Sequence, residues 1–109
     1  MLQPGKALRV LIYLSDGTTH KGTPTAHAII DFLYKNGVSG ATALKGFAGF
    51  GADHHLHSSA SIFLADKLPL KIEFVDMPEK IEAIMPTLKE LSGTGMIVTH
   101  EISVIKTAG

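Results

Sequence analysis

The chain has 109 residues, 45% of them hydrophobic and 18% charged, a balance that builds a core and excludes a disordered chain. Lys plus Arg and Asp plus Glu count 10 each, so the formal net charge is zero, which disfavours a basic nucleic-acid binder and an acidic tail. There is no cysteine, which excludes disulfides, thiol catalysis and cysteine-type zinc sites.

Leu8, Val10, Ile12 and Leu14 alternate with Arg9, Leu11 and Tyr13, a period of two that predicts a first strand. Residues 15–21 read as a polar loop. Thr23 and Pro24 predict a helix start, with Thr23 as N-cap and Pro24 at the first helical position. Ala26, Ile29, Ile30 and Leu33 follow at helical spacing, and Asn36-Gly37 supplies a left-handed C-cap. Residues 41–50 read as a glycine-rich second strand, and residues 51–59 as a histidine-rich loop or hairpin tip. Pro69 opens a third strand, in which Leu70, Ile72 and Phe74 alternate with Lys71, Glu73 and Val75. Residues 76–79 open a second helix, with Pro78 in its first turn and acidic residues near the positive end of the dipole. Ile81, Ile84, Met85, Leu88 and Leu91 form its apolar face, and Pro86 predicts a kink or local break. Residues 92–95 are a loop before a fourth strand over 96–105, with Val98, Ile102 and Val104 on one face.

The order β-α-β-β-α-β predicts an α+β, ferredoxin-like sandwich: a four-stranded antiparallel sheet with two helices on one face. One domain over residues 1–109 is expected. The other sheet face is expected to expose Leu11, Tyr13, Val75, Ile97 and Ile105 among Arg9, Lys71, Glu73 and Glu101, a surface suited to self-association. No apolar run approaches the ~20 residues of a membrane helix. Residues 1–6 lead into no secretory signal, so a cytoplasmic protein without membrane insertion is expected.

Chemistry is concentrated in two places. Gly46, Gly49 and Gly51 fall within six residues, which implies a bulge, a bend or a close backbone approach. Exposed N–H groups on such a bend can hold an anion. The spacing is neither a Rossmann fingerprint nor a P-loop. Asp53, His54, His55 and His57 form the second cluster, with residue types that ligate zinc, nickel or copper. Serines 58, 59 and 61 near His57 make no recognisable triad, so no enzyme activity is expected.

Gly40-Ala41-Thr42, Gly46-Phe47-Ala48-Gly49-Phe50-Gly51, His57, Leu68-Pro69, Ile72-Glu73-Phe74-Val75-Asp76 and Lys80-Ile81-Glu82 together resemble domain of unknown function 190, a family of small PII-like proteins. The resemblance runs from Leu8 to Ile105. It implies a homotrimer of ferredoxin-like subunits that binds a small effector, an adenine nucleotide or related anion, in clefts between subunits. It also implies a mobile loop over residues 52–66 that contacts a transporter or enzyme. No cofactor is required by this reading.

By the same resemblance Thr42 lies beside the base, and Gly49, Phe50 and Gly51 bring backbone close to the ligand. The loop holding Gly93 and Gly95 takes the place of a phosphate-binding loop. That loop has Met96 where a lysine is expected, and an arginine pair expected late in strand four is absent. Lys45, next to Gly46, is a candidate to compensate, as are Lys67 and Lys71. The alternative is a divalent-metal-binding trimer similar to CutA, with His54, His55 and His57 as ligands.

Overall fold

A computed structural model describes residues 1–52, 54–58 (for His57 the backbone only) and 68–109. β1 (Gly5–Ser15), β4 (Ala41–Lys45), β7 (Pro69–Asp76) and β8 (Met96–Val104) form one antiparallel sheet in the order β4-β7-β1-β8. α1 (Thr25–Lys35) and α2 (Pro78–Ser92) place Ile29, Leu33, Ile81, Ile84 and Leu88 against Val10, Ile12, Leu14, Ile72 and Phe74 of the sheet. This is the expected ferredoxin-like α+β sandwich. The residues of this core are ones whose periodicity marks an inward face, because each of these elements turns an apolar side toward the layer between helices and sheet.

The ends of α1 follow different rules. Its C-terminus closes as a Schellman motif. Val38 N–H donates to the Leu33 carbonyl and Gly37 N–H to that of Tyr34, with Gly37 at φ 73°, as the Asn-Gly pair predicts. Its N-terminus corrects the expected cap. Pro24 is the N-cap, and no side chain caps the helix. Thr23–Pro24 form a short strand, β3, paired with β2 (Thr19–His20). The two turn residues, Lys21 and Gly22, both have positive φ, the backbone of a tight two-residue hairpin. The hairpin competes for Thr23 and takes it out of the helix.

Three further expectations are corrected. The second strand does not run through residues 41–50. It stops at Lys45, and Ala48–Gly49 form β5, paired with β6 (His57–Ser58) in a separate hairpin. Of the kink or local break expected at Pro86, the break does not occur, since α2 is continuous from Pro78 to Ser92. The carbonyl it deprives of a donor belongs to Glu82, which is exposed like Pro86 itself, so water replaces the lost bond. Finally, register places Ile97 opposite Ile12 and Glu101 opposite Leu8, on the helix side of the sheet. The open face instead presents Val98, Ile102 and Val104 beside Leu11 and Ala7. Arg9 and Glu73 form an ion pair across this face at 2.8 Å.

Asp76, the last residue of β7, is 2% exposed. Its carboxylate accepts from Met77 N–H at 2.8 Å and Ser39 N–H at 3.1 Å. It thereby joins the turn after α1 to the start of α2, a tighter role than the dipole position expected for it.

Candidate functional site

The sheet leaves a cleft of about 500 Å³ at the end where β1 finishes and β7 and β8 begin. Tyr13 to Ser15 form one wall, and Pro69 and Leu70 continue it through the register pairs Ser15–Pro69 and Leu14–Leu70. Met96, paired with Tyr13, leads into the turn after α2, where Ser92, Thr94 and Gly95 line the rim. The opposite wall is Gly49 to Ala52, where the chain leaves β5 for the hairpin tip.

Pro69 explains two of the three clustered glycines. An added Cβ at Gly46 or at Gly49 would lie 3.0 Å from Pro69 Cγ. Gly46 N–H also donates to the Pro69 carbonyl at 2.7 Å. The glycines let the hairpin base close over the proline ring. Gly51 is different: among the described residues nothing lies within 4 Å of its added Cβ. None of the three has a positive φ.

Of the residues expected to bind a ligand, Gly49, Phe50, Gly51 and Gly95 line the cleft. Thr42, Lys45, Gly46 and Gly93 do not. Thr42 is opposite Glu73 on the open sheet face. Gly93 is the C-cap of α2 at φ 56°. The N–H groups of Gly93 and Gly95 donate to the carbonyls of Glu90 and Ser92, so both are used inside the turn. Lys45 Nζ is 2.6 Å from Asp16 Oδ2. Lys71 Nζ is 4.0 Å from Glu73 Oε1.

Tyr13, Ser15, Thr18 and Met96 also line the cleft and were not among the expected ligand-binding residues. The pairing of β1 with β8 is the signal that would have found Tyr13, since it sets Tyr13 against Met96 beside the glycine turn. Ser92 is 4% exposed, and its hydroxyl has no hydrogen-bond partner among the described residues. Phe50 is 65% exposed, and its ring stacks on His54 at 5.6 Å and 29°. The lining therefore offers ring faces, hydroxyls and closely approachable backbone, and no charged side chain among the described residues. Its size is that of a site for a small organic ligand.

The histidine cluster is only partly described. His54 has φ 55° and donates its N–H to the Gly51 carbonyl, and His55 is exposed. Among the described residues no three His, Asp or Glu side chains converge to hold a metal ion. Asp53, the His57 side chain, Lys67 and most of the expected 52–66 loop lie outside the described residues.

The family model of domain of unknown function 190 (DUF190, uncharacterized ACR) matches residues 7–104. The chain belongs to the DUF190 family. A UPF0166 protein of Methanocaldococcus jannaschii is 35% identical to this DUF190 chain over 103 residues, 93% of this chain and 94% of that protein. A UPF0166 protein of Aquifex aeolicus is 27% identical over 96 residues, 86% of this chain and 89% of that one. Among solved structures, CPII of Thiomonas intermedia, a nitrogen regulatory PII-like protein bound to ADP, AMP and bicarbonate, superposes with a TM-score of 0.66 at 18% identity. The match covers 97% of this chain and 100% of CPII. The DUF190 chain therefore has the PII-like fold, as its sequence implies. No helix among the described residues is long and apolar enough to cross a membrane.

Proposed function

We propose that this chain is a non-enzymatic, cytoplasmic PII-like regulator. It binds an adenine nucleotide or related small anion in the cleft, as one subunit of a homotrimer whose neighbour completes the site. The hairpin and loop after Lys45 then present the bound state to a transporter or enzyme.

One observation carries the reading. Gly49 to Ala52 and Ser92, Thr94, Gly95 and Met96, some forty residues apart in sequence, meet across a single cleft of about 500 Å³. These are the two segments that the family resemblance marks for a ligand. Phe50 offers an exposed ring for stacking on a base. The buried Ser92 hydroxyl, without a hydrogen-bond partner among the described residues, is a group that a ligand can satisfy. CPII, which shares the fold, binds ADP, AMP and bicarbonate, and this supports a nucleotide as the ligand class.

Thermal melting and titration calorimetry with adenosine, AMP, ADP, ATP, zinc and copper test the reading. A ligand at about 100 times its Kd adds about 2.7 kcal/mol of stability, a rise of about 10 °C or more for a domain of this size. At least one adenine compound is expected to give such a rise. If none shifts the melting temperature at millimolar concentration while zinc or copper does, the reading fails and the histidine cluster becomes the site.

A further inference from the structure

Among the described residues the cleft lining carries no charged side chain, yet an ion pair stands at its edge. Lys45 is the cross-strand partner of Leu70, which lines the cleft, and the two side chains share the helix side of the sheet. Asp16 follows Ser15, another lining residue. Lys45 Nζ meets Asp16 Oδ2 at 2.6 Å, with the side chains 52% and 32% exposed. The pair thus ties the end of β1 to the end of β4, one residue before the hairpin begins at Gly46.

We infer that Asp16 sets the charge preference of the cleft: it holds Lys45 in place until an anionic group of the ligand takes the lysine over. The inference rests on the nucleotide reading above. An exposed ion pair is weak, so exchanging one anionic partner of Lys45 for another has a small cost. Asp16 Oδ1 also accepts the Gly17 N–H at 3.0 Å, so the carboxylate stays anchored to its own turn when the lysine leaves. A ligand phosphate or carboxylate would gain a cation, and β4 would lose its tie to β1 at the root of the hairpin. Asp16 therefore opposes anionic ligands and is neutral toward uncharged ones.

Calorimetry with ADP and with adenosine, on wild type, Asp16→Asn, Lys45→Gln and the double variant, tests this. Asn keeps the acceptor for Gly17, so Asp16→Asn leaves the turn intact, and an unchanged melting temperature checks it. Asp16→Asn is expected to tighten ADP binding about fivefold, and Lys45→Gln to weaken it about fivefold, the scale of exposed charge pairs. The double variant should behave like Lys45→Gln, because Asp16 acts through the lysine. Adenosine should bind all four proteins alike. The ADP effects should shrink as salt rises through the Debye range. Equal ADP affinity in wild type and Asp16→Asn overturns the inference and leaves the nucleotide reading standing, as do parallel changes for ADP and adenosine. Absence of binding by either compound to any of the four proteins overturns both.

Discussion

Gly95 sits so close to Leu14 that there is no room for a side chain between them. An added Cβ would lie 2.5 Å from Leu14 Cδ2, 2.9 Å from the Tyr13 carbonyl oxygen and 3.1 Å from that of Ser92. Two of the three neighbours are backbone and cannot turn away. The turn after α2 is thus pressed onto the end of β1, and that contact forms one rim of the cleft. Gly95→Ala should destabilise the protein by about 2–3 kcal/mol, the range of overpacking in a filled site. The melting temperature should fall by about 10 °C or more. A melting temperature within a degree or two of wild type would mean that the turn moves freely off β1.

Asp76 holds two backbone donors with one buried carboxylate. Asp76→Ala should cost about 2 kcal/mol, because Met77 N–H and Ser39 N–H lose their acceptor while the side chain's site is buried. Chemical denaturation measures this directly, with the midpoint lowered and the slope unchanged. A cost below about 0.5 kcal/mol would show that water replaces the carboxylate at both donors.

The core was legible in the sequence because each of its residues obeys a simple period. Val10, Ile12 and Leu14 repeat every two positions and Ile81, Ile84 and Leu88 every three or four, and all are buried. The faces of β8 were harder to assign. Its apolar residues include Ile97, Val98, Ile102 and Val104, which fall on both sides of the strand, so only the register with β1 separates them. The glycines near residue 50 were legible as a bend, but Pro69, which lies against two of them, is twenty residues away. The cleft shows the same limit. Its glycine turn and hairpin base stand out locally, whereas Ser15 enters it only through its pairing with Pro69.

The open face of the sheet sets the expected assembly. Leu11, Val98, Ile102 and Val104 lie there beside the Arg9–Glu73 ion pair. Multi-angle light scattering is expected to give the mass of a trimer at micromolar concentration. Val98→Asp places a charge on this face beside Leu11 of the inner strand β1, where burial against another subunit would be costly, and should give monomers. Its effect on folding should be smaller than its effect on mass, since Val98 is only partly buried and lies outside the core cluster. A monomeric wild type would remove the trimer and the intersubunit site together.

Gly49 and Gly51 separate packing from ligand approach. At Gly49 a methyl group meets the Pro69 ring at 3.0 Å, whereas at Gly51 it meets nothing within 4 Å among the described residues, and neither glycine needs a positive φ. Gly49→Ala should therefore lower stability by about 1 kcal/mol or more, as the proline ring is forced aside. Gly51→Ala should leave the melting temperature of the free protein within the spread of ordinary surface substitutions, about 0.5 kcal/mol. Both residues line the cleft, so the nucleotide reading expects Gly51→Ala to weaken ligand binding even though folding is untouched. A methyl group that keeps a ligand from one charged backbone hydrogen bond costs roughly 1.5–3 kcal/mol, or about one to two decades in Kd. Melting scans of both variants, with and without ADP, compare the two effects in one experiment. Loss of the ADP-induced shift in Gly51→Ala, with its unliganded melting temperature unchanged, is the expected result. An ADP shift as large in Gly51→Ala as in wild type would place the ligand away from the hairpin base.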